Sequence, residues 1–400
     1  MLKNLLARAK SGNFDLTLMV PLLLNTAAVQ VVVSITRVTT SYRAIELDLP
    51  VVWLGIISAS YSIIPLALAV WVGRFIDRGH DAVSTWIGGA LLVIACGGFI
   101  VWPTAAGLFV CTAILGLAQL FLISGQQMVC LRCAAPARFE QSFGNYMVAN
   151  ALGQGLGPYI VGWAGGGAKV PPTGLLFILS LAAAVLVLIF ALAMRPNRAG
   201  RTAADVTAPV AVGGLLRTPG LVALIVLGII TVSSQDLIVV YLPVFGTERG
   251  IGVADIGMLL TVRAVASVVS RFLYVRIVAT VGRQRLMIVS TVIGSLAFAL
   301  LAMPAPLVVM AIEIAVIGFS IGLATTLTVT GVVMMFDAGA RATANSLRMM
   351  GNRIGQMVFP VGAGMIAAAT SVAGVFVIIA AGLVASAVAV YARPPKHPKL

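Results

Sequence analysis

Asn150-Ala151-Leu152-Gly153-Gln154-Gly155-Leu156-Gly157-Pro158 and Asn352-Arg353-Ile354-Gly355-Gln356-Met357-Val358-Phe359-Pro360 are one pattern written twice, 202 residues apart, with Asn, Gly, Gln and Pro in the same places. Glycine allows close approach of helices, and a proline inside a helix kinks it. At the same offset Leu54-Gly55 matches Ile256-Gly257; the first and seventh helices also share a pattern, since Arg37 stands five residues before Tyr42 and Asp236 five before Tyr241. A repeat of this length predicts a chain built from two related halves.

Outward from these stretches the chain is apolar almost throughout. Of its 400 residues 60% are hydrophobic and 10% charged, far below the roughly 25% charged residues of soluble domains. A hydrocarbon layer about 30 Å thick needs roughly 20 apolar residues per helical crossing. Such stretches fall near 15–42, 50–73, 82–102, 105–133, 138–164, 173–194, 217–245, 252–276, 284–303, 305–335, 339–367 and 370–392. The first is too long and too polar inside for a cleaved signal, so it is expected to remain as a span. Asp15 at its start reads as a helix N-cap. The polar, Pro-containing stretch 195–216 reads as a linker between a half at 1–194 and a half at 217–400.

The formal charge of +14 resolves once basic residues are sorted by side. Twenty, among them Arg74, Arg78, Arg132, Arg271, Arg276 and Arg348, fall on the side of the termini, against Arg43, Lys169 and Arg249 opposite. The positive-inside rule then predicts cytoplasmic termini in a bacterial inner membrane. The excess marks orientation, and no nucleic-acid partner is expected. Cys96, Cys111, Cys130 and Cys133 lie in apolar segments and read as buried small residues with no metal or redox role. No P-loop follows a strand, so neither a nucleotide domain nor a cofactor is expected.

These residues carry a family resemblance over nearly the whole length: the chain resembles the major facilitator superfamily. Gly73-Arg74-Phe75-Ile76-Asp77-Arg78-Gly79 is similar to that family's signature after the second helix, with Gly79 one residue early and His80-Asp81 where a basic pair is usual. The resemblance implies close packing at Gly73 and a charge latch between the halves using Arg74, Asp77 and Arg78. The counterpart after the eighth helix has Ala279 in place of the aspartate. Gly153, Gly157 and Pro158 look like the Gly-Pro motif on helix five of the family's antiporters, and Ser346 to Gln356 resembles a pattern on helix eleven. The implied fold is an all-α integral membrane protein with twelve transmembrane helices in two pseudosymmetric six-helix bundles around a central cavity. The implied activity is secondary transport by alternating access.

Charges inside the spans are the candidate site. Arg37, Arg263 and Arg353 stand in helices one, eight and eleven, with Asp236 in seven and Glu313 in ten. Each mid-helix charge is unfavourable by about 2.5–3.5 kcal/mol on insertion scales, so such residues face a cavity or a partner. Thr26, Gln30, Ser34, Arg37 and Ser41 share one face of helix one. Arg263, Ser267 and Ser270 share a face of helix eight; Asn352, Arg353 and Gln356 lie within a turn; Gln119 and Gln126 share a face of helix four beside Gln127. Guanidiniums bind carboxylates or phosphates through paired hydrogen bonds. The expected substrate is a small organic anion or zwitterion held by Arg37, Arg263 and Arg353 and oriented by Gln30, Gln126, Gln127, Asn352 and Gln356. Asp236 and Glu313 are expected to carry protons, with Arg37 and Asp236 also forming an outer gate. Fixed ion pairs that only hold helix register are the structural alternative. A drug or lipid-like efflux pump is the nearest rival, and a membrane sensor or intramembrane enzyme the rival of another class. The chain is expected to act as a monomer among membrane lipids.

Overall fold

A computed structural model describes residues 15–133, 139–194, 215, 217–336 and 338–393. It holds twelve long helices among the described residues: α1 (Leu16–Glu46), α2 (Val51–Asp77), α3 (Asp81–Val101), α4 (Ala105–Arg132), α5 (Phe139–Gly165), α6 (Thr173–Ala193), α7 (Leu221–Glu248), α8 (Val253–Val281), α9 (Arg283–Leu301), α10 (Leu307–Met334), α11 (Ala338–Ala369) and α12 (Val372–Ala392). No strand occurs among the described residues. Ten of these helices are long and apolar enough to cross a membrane. The other two, α5 and α11, carry the repeated Asn-Gly-Gln-Pro pattern; their polar residues turn toward a cavity, which lowers their mean hydropathy without shortening them.

Local chemistry sets the ends. Asp15 caps α1, its carboxylate accepting from the Thr17 amide at 3.1 Å, as its position before the apolar run predicts. Thr104 caps α4 through the Gly107 amide at 3.2 Å. The four cysteines are buried and free. Apart from Leu215, the linker 195–216 lies outside the described residues.

Within the first half α1 packs on α5 and α6, α2 on α4, and α3 on α4 and α6; in the second half α7 packs on α11 and α12, α8 on α10, and α9 on α10 and α12. The halves meet along two main seams, α2 with α11 and α5 with α8, which the repeat exchanges, and more lightly where α1 meets α7. A Cβ added at Gly55 would stand 2.2 Å from the Pro360 carbonyl oxygen, and one at Gly257 2.5 Å from the Pro158 carbonyl oxygen. The repeated glycine of each half is thus seated on the repeated proline of the other. Both contacts lie toward the face that carries the α1–α2 turn. There the Val253 and Ala254 amides also donate to the Ala168 and Gly166 carbonyls at 2.9 Å. On the opposite face, where α6 ends and α7 begins, no hydrogen bond or ion pair joins the halves among the described residues. The described hydrogen bonds and close backbone contacts between the halves thus gather on the α1–α2 face.

Candidate functional site

A cavity of about 330 Å³ lies between the halves, lined by α1, α2, α4, α5, α7, α8 and α11. Its lining brings together Gln30, Arg37, Asp236, Arg263, Asn352, Arg353 and Gln356. Arg37 Nη1 donates to Asp236 Oδ1 across the halves, and the Arg37 guanidinium lies 5.1 Å from the Tyr61 ring centre. Gln356 Nε2 donates to Asp236 Oδ2 at 2.6 Å, and Arg353 Nη1 donates to Gln356 Oε1 at 3.2 Å. Both oxygens of Asp236 are therefore engaged. Arg263 is 5% exposed, and its Nε has no partner among the described residues. The Asn352 Oδ1 is likewise buried without a partner among them.

Arg263 is held in place through its backbone. A Cβ at Gly318 of α10 would stand 2.3 Å from the Arg263 carbonyl oxygen, just as one at Gly116 of α4 would stand 1.8 Å from that of Tyr61. Gly116 and Gly318 are again 202 apart, as are Tyr61 and Arg263. The same seat thus presents an aromatic ring to the cavity in one half and a cation in the other. The corresponding contacts of α5 on α1 and α11 on α7 pair Gly153 with Ala27 and Gly355 with Ile229. At this offset Ser34 answers to Asp236, so Arg37 stands about one turn beyond its supposed twin and reaches Asp236 across the gap.

Several residues join the site that the sequence reading places elsewhere. Arg348, counted with the loop arginines, lies inside α11, is 8% exposed and lines the cavity. Its Nε and Nη2 donate to Asn345 Oδ1 at 3.2 and 3.1 Å. Asn150, Gln154, Gln235 and Tyr61, which the sequence reading leaves out, also line the cavity, as does Gln119 of the helix-four stripe, with Gln154 Nε2 donating to Asn150 Oδ1 at 2.9 Å. The repeat itself is the signal for Asn150 and Gln154, since their twins Asn352 and Gln356 are candidates on sequence grounds.

Other candidates are not brought to this cavity. Gln126 is fully buried inside the first half, where its Nε2 donates to Asn25 Oδ1 at 2.7 Å, and Asn25 Nδ2 donates to the Val187 carbonyl at 2.7 Å. Gln127 is absent from the described lining. Glu313 is buried on α10 away from the lining, with Oε2 unpartnered among the described residues. In the signature after α2, Arg74 and Arg78 are exposed and form no ion pair among the described residues, and nothing lies within 4 Å of a Cβ built at Gly73. The Asp77 side chain lies outside the described residues. Asp81 pairs instead with Arg132 of α4 at 2.6 Å. The close packing implied at Gly73 is thus missing. Gly153 and Gly157 pack closely on α1, and Pro158 sits on the α5–α8 seam.

Two six-helix halves around a central cavity lined by charged residues are the build of a membrane transporter. The Major Facilitator Superfamily model matches residues 22–254 and 224–400, and the chain belongs to that superfamily. Among solved structures it is similar to a mutant form of the nucleoside transporter NupG (TM-score 0.79, 14% identity, covering 94% of this chain and 99% of that one). It is similar to a POT family transporter in complex with a thioalcohol conjugated peptide (0.74, 13%, 94% and 95%). It is also similar to an inward-facing bacterial homolog of the human lysosomal transporter Spinster (0.73, 14%, 94% and 94%). At such identities the likeness is one of fold. No curated protein matches the chain in sequence.

Proposed function

We propose that the chain moves a small organic anion or zwitterion across the bacterial inner membrane by alternating access, coupled to protons. The observation that carries this reading is Arg263: a guanidinium held inside the bundle, facing the cavity, with no carboxylate in contact among the described residues. A buried cation without a counter-charge is costly, and a ligand that supplies one recovers that cost on binding. Arg353 stands on the facing helix with four of its five N–H donors beyond the single bond to Gln356. Together they suit a carboxylate or phosphate, with Gln30, Gln154, Asn352 and Gln356 as neutral partners that fix its orientation. A cationic drug would meet repulsion at every arginine, which disfavours the efflux-pump reading.

The skew of basic residues supports an α1–α2 face toward the periplasm, so the conformation described opens to the cytoplasm. Halves at 1–194 and 217–400 rock about the 195–216 linker, and the Arg37–Asp236 pair serves as the gate that closes the outer side. Asp236 is the acid among the described cavity residues, and we assign proton carriage to it, with Glu313 as the second buried carboxylate.

The test is counterflow in proteoliposomes against a panel of organic anions, with and without a pH gradient. Arg353→Gln and Arg353→Lys should each abolish exchange; unchanged exchange would sink the anion assignment. Exchange that still follows an imposed pH gradient in an Asp236→Asn, Glu313→Gln double variant would exclude proton carriage by these acids.

A further inference from the structure

The described lining of the cavity holds four arginines, Arg37, Arg263, Arg348 and Arg353, against one acid, Asp236. Arg37 is neutralised by Asp236. Arg348 and Arg353 spend their described bonds on the neutral oxygens of Asn345 and Gln356, and Arg263 makes no described bond at all. Three guanidiniums thus share one small cavity with no carboxylate in ion-pair contact with any of them among the described residues. A monoanion would leave two positive charges still facing one another. The same site is poorly equipped for an ammonium group, because each oxygen of Asp236 already holds a donor and its charge is countered by Arg37.

Resting on the anion reading above, we infer that the ligand of this cavity is a small organic dianion without an ammonium group, and that zwitterions are rejected. Its negative oxygens, on two carboxylates or on one phosphate, face Arg263 on one side and Arg353 and Arg348 on the other. Since Arg263 belongs to α8 and the other two to α11, such a ligand spans two walls of the second half. A second charge-assisted contact is among the stronger hydrogen bonds, so the dianion should bind at least about tenfold tighter than a monoanion of the same skeleton.

The experiment follows thermal melting of the purified full-length protein against a four-carbon set: succinate, butyrate, 4-aminobutyrate and butane-1,4-diol. Glycerol 3-phosphate and glycerol form a phosphate pair, and ionic strength is matched throughout. At least one dianion should stabilise the protein at a concentration about tenfold or more below its monoanionic, zwitterionic or neutral partner. Arg263→Gln should collapse that ratio, and Arg353→Gln should do the same if the first variant is too unstable to purify. Stabilisation by neither dianion overturns the inference. Equal stabilisation by 4-aminobutyrate or butyrate, still dependent on Arg263, overturns it while the anion reading stands. Equal stabilisation by the neutral diol overturns both.

Discussion

Replacing Gly55 and Gly257 with alanine should drive the halves apart on the α1–α2 face. A Cβ at Gly55 meets the Pro360 carbonyl oxygen at 2.2 Å, the Pro360 carbonyl carbon at 3.0 Å and Val361 Cα at 3.2 Å; one at Gly257 meets the Pro158 carbonyl oxygen at 2.5 Å and Gly162 Cα at 2.6 Å. Ordinary contact begins near 3.4 Å, so each pair of backbones must separate by about 1 Å. Every atom met is main chain, and no rotamer change relieves it. Overpacking of this kind costs about 1–3 kcal/mol per site. One rocking motion relieves both seams, so the double variant costs less than the sum. Each 1.4 kcal/mol is a factor of ten in population, and the closed-to-open ratio of this face should fall by at least about tenfold. Spin labels at Asp48 and Glu248, both exposed on that face, read the ratio as short against long distances. Gly97→Ala on α3, which meets nothing within 4 Å and lies away from both seams, should leave the distribution unchanged. An unaltered distribution in a double variant that melts normally would refute the claim that these backbone contacts close the face.

Asp236→Asn should leave Arg37 half-buried and unpaired, lowering stability by about 1–3 kcal/mol, whereas Arg37→Met with Asp236→Leu should recover most of the melting temperature but no exchange; recovery of both would reduce the pair to a register device. Gln126→Ala removes the partner of Asn25 Oδ1 and should cost about 1–3 kcal/mol with ligand affinity unchanged; an affinity loss beyond about threefold would return Gln126 to the site. Gly318→Leu should abolish exchange by displacing the Arg263 backbone, and wild-type rates would show that this seat does not position the guanidinium. Asp81→Ala should destabilise the first half by breaking its pair with Arg132, measured by melting, while the distance distribution on the α1–α2 face stays as in the wild type.

Much of the architecture can be read from the chain because hydrocarbon imposes one length on every span and the repeat ties the two halves to one pattern. The Asp15 cap and the burial of the cysteines follow from the same local rules. The cavity is legible only where polar residues interrupt an apolar face, as at Gln30, Arg37, Asn352 and Gln356. Depth along a helix is not. Gln119 and Gln126 are two turns apart on one face of α4, yet the first lines the cavity and the second is sealed against Asn25. Arg348 sorts with the loops for the same reason: charge near a helix end signals a membrane edge equally well whether it faces solvent outside or a cavity mouth. Tyr61 and Arg263 escape notice as twins because the repeat conserves their glycine seats, Gly116 and Gly318, and not their side chains.

That last pair divides the molecule's work. Where the halves must move against each other, they keep the same parts, Gly55 on Pro360 and Gly257 on Pro158, and within each half the same seats recur, Gly153 on α1 and Gly355 on α7. Equal seams on both sides let one rocking motion open both together without twisting either half. Around the ligand the halves differ. Tyr61 answers to Arg263, Ser34 to Asp236 and Ala151 to Arg353, so three arginines of the cavity and its one described acid belong to the second half. A symmetric pair of charges would have repelled across the closing gap at Arg37. A single acid opposite a single arginine instead draws the halves together across the cavity, and leaves the excess positive charge on α8 and α11. On the anion reading proposed above, the ligand meets its counter-charges in the second half, which makes that half the binding body and the first the wall opposite it.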